Sequence, residues 1–187
     1  MPPSDLATAA ASRLCAACGM CCNGVMFHTV RLMPADSAKV LAGLGLKLKR
    51  KRGQNFILQP CPAFQESHCS IYAARPERCR LFECRQLQRV AAGEITEAMA
   101  REKIGAAARL VAEVNVLLER AGGNSPKRPL SRRFETARAE PLGPSGDEVA
   151  AETQKQLARA MQELGALLDQ DFRLVPVGAA SAPPVSE

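Results

Sequence analysis

Four thiols fall within eight residues near the start of the chain: Cys15, Cys18, Cys21 and Cys22, in the run CAACGMCC. Four more, Cys61, Cys69, Cys79 and Cys84, lie between positions 61 and 84, and the rest of the sequence has none. A disulfide framework would staple the whole chain. Two tight groups favour a thiophilic metal or an iron–sulfur cluster, because thiolate is the ligand that zinc and such clusters select. All eight cysteines are therefore candidate ligands.

The spacing narrows the chemistry without choosing the metal. C-x2-C at Cys15 and Cys18, followed by Gly19, resembles a zinc knuckle, in which a tight turn brings amide N–H groups to sulfur. The longer C-x2-C-x2-C run with one distant Cys resembles a ferredoxin sequence holding an iron–sulfur cube. Cys21 and Cys22 are neighbours, and neighbouring side chains point in different directions. They are expected to serve different metals. Cys79 and Cys84 are five apart, about 140° around a helix. Either Cys79 precedes the regular helix or these two also serve different ions. The expectation is two adjacent four-sulfur sites, or one larger cluster, sharing ligands from both groups. Five arginines against two glutamates between 75 and 89 suit the neighbourhood of anionic thiolate sites.

Other residues offer less. His28 and His68 could replace a thiol, but a surface or hydrogen-bonding role fits them better when eight sulfurs are present. Phe64 and Tyr72 read as core, with a minor role in shielding a cluster. KLKRKR at 47–52 resembles a phosphate-binding patch and equally a solvent-facing hairpin. No Ser/His/Asp arrangement or carboxylate pair stands out, so no catalytic constellation is visible and enzymatic activity is not the favoured reading.

These residues need elements to hold them. Phe27–Leu32 alternates like a short strand. Pro34 and Asp36 suggest a helix to about Leu44. Leu46–Leu58 reads as a hairpin turning at Gly53. Pro76 opens a helix expected to run to about Ala92. A long helix should start near Thr96 and end at Gly122-Gly123, with an apolar stripe of Ala100, Ile104, Ala107, Val111, Val114 and Leu118. A last helix, with Ser145 and Glu148 as a capping box, carries Leu157, Met161, Leu164 and Leu168. The expected organisation is a flexible N-terminus (1–13), a cysteine-cluster domain with the long helix (14–121), a linker (122–146), a separate C-terminal helix (147–172) and a disordered tail (173–187). The fold class is α+β, dominated by helices.

The totals fit. The formal charge is +6, but eight thiolates around two divalent ions would lower it to about +2. Nucleic acid is thus a less favoured partner than metal ions. A protein partner is compatible with the amphipathic helices. No run approaches eighteen apolar residues, so no membrane partner is expected. The start shows no signal-peptide pattern, and the expected location is cytoplasmic.

CAACGMCC together with CPAFQESHCSIYAARPERCRLFEC resembles the YkgJ-type cysteine-cluster proteins, the CxxCxxCC family of zinc- or iron-chelating domains. All eight cysteines match its pattern, as do Gly19, Phe64, Ile71, Tyr72, Arg75, Pro76 and Arg80. The match covers roughly 15–85, plus a family-like VRLMPAD at 30–36. The resemblance implies a zinc or iron–sulfur protein. A related motif occurs in flagellin lysine methylases, but no glycine-rich cofactor-binding unit is seen here to seat a methyl donor. The function expected is metal binding through the eight cysteines. The alternatives are a basic zinc module that binds RNA or DNA, and a protein-modifying enzyme.

Overall fold

Alanine is the best helix former, and the alanine-rich stretch before the first cysteine is helical. In the computed structural model, which describes residues 5–123, 125–139 and 148–174, helix α1 spans Asp5–Cys18. The expected flexible N-terminus is thus helix from Asp5. Ala10 and Leu14, four residues apart on one face, are buried. Cys15 and Cys18 occupy the last turn of this helix rather than a free loop.

Strand β1 (Thr29–Arg31) pairs antiparallel with β3 (Gln54–Leu58), which pairs antiparallel with β2 (Leu48–Lys51), giving the order β1-β3-β2. The expected hairpin is present, turning through Arg52 and Gly53, both at positive φ. The strand before it joins as a third member. Alternation sends Val30, Leu48 and Ile57 to one face, where they pack with Leu41, Leu46 and Ala63. Helix α2 (Ala38–Gly43) starts later than Pro34, because Ser37 is its N-cap and accepts from the Val40 N–H. Asp36 does other work, described below. A two-stranded ribbon, β4 (Phe64–Gln65) with β5 (His68–Cys69), follows.

The helix expected from Pro76 to Ala92 is broken in two. Helix α3 (Glu77–Leu81) stops at Phe82, whose backbone is extended, and α4 (Arg85–Ala91) begins after Cys84. Phe82 turns away to meet Phe27 edge-on, 5.1 Å between ring centroids. A continuous helix could not make that contact and also bring Cys84 to its position. Helix α5 (Glu97–Arg120) is capped by the Thr96 hydroxyl, which accepts from the Met99 N–H. Its expected stripe is buried or half-buried throughout, with Leu117 added.

The segment 122–146, expected as a linker, carries α6 (Leu130–Ala139), which buries Leu130, Arg133 and Ala137. The Arg133 guanidinium donates to Asn115 Oδ1 of α5 at 2.6 Å. Its high arginine content resembles a charged linker, but three buried positions are enough to dock it. Helix α7 (Glu148–Asp171) lies against α5, burying Leu157, Ala160, Leu164 and Leu168. Both helices are about 36 Å long. With α1 and α4 they enclose one core ending at Phe172. The fold is α+β with helices dominant. Ser145 of the expected capping box and most of the expected tail lie outside the described residues. Among those described, no helix is long and apolar enough to cross a membrane.

Candidate metal centre

The first cysteine run works as a helix end plus a turn. Gly19 follows Cys18 at φ +61° and donates its N–H to the Cys15 carbonyl at 3.1 Å. This is the left-handed residue that commonly ends a helix. A side chain is excluded for a second reason: a Cβ at Gly19 would sit 2.1 Å from the Phe64 ring. Phe64 is therefore the lid over the turn, which accounts for its place in the CPAF segment. The N–H groups of Cys22 and Asn23 then donate back to the Gly19 carbonyl.

The second group is tied to the first by backbone. The Cys61 N–H donates to the Cys22 carbonyl at 2.7 Å. Asp36 accepts from the Met33 N–H and from the Glu77 N–H, so it fixes the start of α3, which carries Cys79. Cys84 is the N-cap residue of α4. The other end of that connection is α7: Arg85 N–H donates to the Phe172 carbonyl and the Gln86 side chain to the Asp171 carbonyl at 2.7 Å. The Arg85 guanidinium adds a bond to the Gln170 carbonyl.

All eight thiols are free, and all but the exposed Cys15 are half-buried. They influence one another in two sets. Cys18 is pushed up to about 12, first by burial, then by Cys84 and Cys15. Cys21 is raised by burial and by Cys18, Cys84, Cys22 and Cys15. Cys22, its neighbour, is pushed up to about 12 by burial and then by Cys61, Cys79 and Cys69, with Cys15 last. Burial followed by Cys61 and Cys69 takes Cys79 up to about 11. The leading influences group Cys15, Cys18, Cys21 and Cys84 on one side and Cys22, Cys61, Cys69 and Cys79 on the other, while Cys22 also acts on Cys21 and Cys15 on Cys22. Cys21 and Cys22 fall on opposite sides of the division, and so do Cys79 and Cys84.

Among the described residues, no three Cys, His, Asp or Glu side chains are drawn together into a metal shell. The donor chemistry nevertheless fits a metal or an iron–sulfur cluster. Backbone N–H groups point at sulfur: Met20 at Cys18, Ala63 and Phe64 at Cys61, Gln86 and Leu87 at Cys84. Such amides favour thiolate, and only thiolate ligates. Burial alone keeps these sulfurs protonated, so a bound cation would have to supply the missing charge and release protons.

One arginine reaches both sets. Burial raises both Cys15 and Cys79, one thiol from each set, and the Arg75 charge counteracts part of that rise in both. Its guanidinium lies 3.5 Å from the Tyr72 ring centroid, and its Nε donates to the Tyr72 carbonyl. Tyr72 is not core, as was expected; it is 42% exposed, and its hydroxyl donates to Ser12 of α1. Its ring positions the arginine. Composition showed an arginine-rich stretch, and only the fold singles out Arg75. His28 pairs with Ser131 and His68 with the Glu66 carbonyl, and both are exposed.

Residues 14–103 match the family model CxxCxxCC, described as a "Putative zinc- or iron-chelating domain". No curated protein and no solved structure matched the chain. The stretch from the last turns of α1 to the first turns of α5, with every cysteine inside it, belongs to the CxxCxxCC family.

Proposed function

We propose that the chain binds metal at two adjacent four-sulfur centres, one formed by Cys15, Cys18, Cys21 and Cys84, the other by Cys22, Cys61, Cys69 and Cys79. The reading is supported by the backbone bond that ties Cys61 to Cys22, away from Cys18 at the end of α1, together with the mutual influence of the thiols, which is strongest within these two fours. Four thiolates complete a tetrahedral zinc shell and equally hold an iron–sulfur cluster. Zinc would make the centres structural, leaving function to the surfaces they shape. Iron–sulfur centres would add electron transfer or redox sensing.

This chain's own residues have definable tasks in either case. Gly19 and Phe64 shape the first turn, amides at Cys18, Cys61 and Cys84 stabilise thiolate, and Arg75 offsets negative charge shared by the sets. The test is metal and sulfide content per chain, with a visible spectrum, on protein purified without air. Two zinc ions without colour, or iron with sulfide and a brown absorbance, would support two centres and name the metal. Neither metal, with eight freely titrating thiols, would overturn the proposal.

A further inference from the structure

The outer face of the three-stranded sheet has a different chemistry from its core face. Lys49 lies opposite Phe56 in the β2–β3 register, and Thr29 opposite Leu58 in the β1–β3 register. Side chains at paired positions share a face. This face and the segment 126–132 before and at the start of α6 enclose a cleft of about 890 Å³. Lys47, Lys49 and Lys51 line one side, and Lys127, Arg128 and Arg132 the other. No Asp or Glu lines it. Arg132 pairs with Glu135, but among the described residues no carboxylate pairs with the three hairpin lysines or Lys127.

The floor is apolar, made by Phe56, Leu58 and Pro60, all half-buried. At its edge Gln59 is 5% exposed, and its Oε1 has no hydrogen-bond partner among the described residues. A lysine face that merely dissolves a hairpin needs neither an opposing basic wall nor an apolar floor between the two. The second wall is pinned: the Leu130 N–H donates to the Gly24 carbonyl, and a Cβ on Gly24 would lie 3.1 Å from Pro129 Cα.

We propose that this cleft binds single-stranded nucleic acid. Alternate lysines on an extended strand are about 6.8 Å apart, the scale of one nucleotide in an extended backbone. Phosphates would run along them while a base stacks on Phe56, the combination used by sequence-tolerant single-strand binders. A duplex keeps its base faces stacked inside and cannot use the apolar floor. The contacts with the strand use no thiol, but the sheet that lines the cleft stands beside Cys61 and rests on the second proposed centre for its packing, so the proposal rests on the metal reading to that extent.

The test is fluorescence anisotropy of a labelled twelve-nucleotide thymidine strand with the full chain as purified, at salt from about 50 to 200 mM. Saturable binding is expected, with a log–log salt slope of about −2 to −3, for three or four phosphates neutralised. Lys49→Glu should weaken binding at least about tenfold, whereas Lys155→Glu, an equal charge change on α7, should change it less than about twofold. Phe56→Leu keeps the floor apolar and should cost about fivefold or more without changing the slope. No binding at the lowest salt, equal losses from Lys49→Glu and Lys155→Glu, or equal competition by inorganic tripolyphosphate or a twelve-base-pair duplex would each overturn the proposal. Metal content, measured on the same samples, keeps failure of the cleft distinct from failure of the centres.

Discussion

The two thiol sets rest on unequal foundations. Cys18 and Cys84 pack against the helical core, which among the described residues buries seventeen apolar side chains from Leu14 to Phe172. Cys61 and Cys69 pack against the sheet core, which buries four: Leu41, Leu46, Ile57 and Ala63. Burial contributes about 1.5–3 kcal/mol per large apolar side chain, and ordering each residue costs about 1–2 kcal/mol of backbone entropy. The helical side can meet that cost by packing. Four buried side chains cannot meet it for the sheet and its connecting loops. On the two-centre proposal, metal is a convenience for one half of the domain and a requirement for the other.

The largest effect expected follows directly. Stripping metal with a strong chelator should collapse amide-exchange protection in β1, β2 and β3 while α5 and α7 keep theirs. Apparent binding of structural zinc in small peptides, about 10–16 kcal/mol, is ample for this. Uniform loss of protection across both halves would erase the contrast. A finer break uses single thiols. Cys61→Ser should lose one metal centre and unfold the sheet, whereas Cys18→Ser should lose one centre and leave the sheet protected. Metal content and exchange on the two variants check it.

The helical half can be tested without touching sulfur. Leu164→Ala removes a side chain only 2% exposed and should cost about 2–5 kcal/mol in denaturant unfolding. The metal content of the folded variant should stay unchanged.

The smallest effect is electrostatic. Glu97 at the start of α5 accepts from Arg13 of α1 at 2.6 Å and from Arg101 at 2.8 Å. These bonds hold its carboxyl at about 2, below the ordinary 4.5. Its folded-state value is lowered, so its stabilising contribution is complete above the ordinary value and fades as pH falls from about 4.5 towards about 2. Glu97→Gln should flatten the acid dependence of stability in that window and do little at neutral pH. The pair is exposed, so the change in midpoint should be slight.

The contrast between halves also governs what could be read from sequence. Regular periodicity exposed α5 and α7, where burial dictates the pattern. Alternation and the Arg52-Gly53 turn exposed the hairpin. The neighbouring positions of Cys21 and Cys22 led to the expectation of two sulfur sets, the arrangement proposed above. Where tertiary contacts outrank local preference, reading fails. Residues 76–92 have a helical pattern throughout, yet the chain breaks at Phe82. Tyr72 looks like core but supports Arg75 from the surface. Helix α6 hides in an arginine-rich stretch because only Leu130, Arg133 and Ala137 face inward. Asp36 looks like a first-turn acid for its own helix, whereas its partners are Met33 and the distant Glu77.

The division between Cys21 and Cys22 has a kinetic corollary. Their Cα atoms are a fixed 3.8 Å apart, so the first ion to bind immobilises a ligand of the second centre as well. The Cys61–Cys22 backbone bond brings a further one into register. Part of the loop-closure entropy of the second centre is therefore spent before its ion arrives. If the chain holds the two proposed centres, uptake is expected to be cooperative, and a zinc titration followed by native mass spectrometry should pass from empty to doubly filled chains with few holding a single ion.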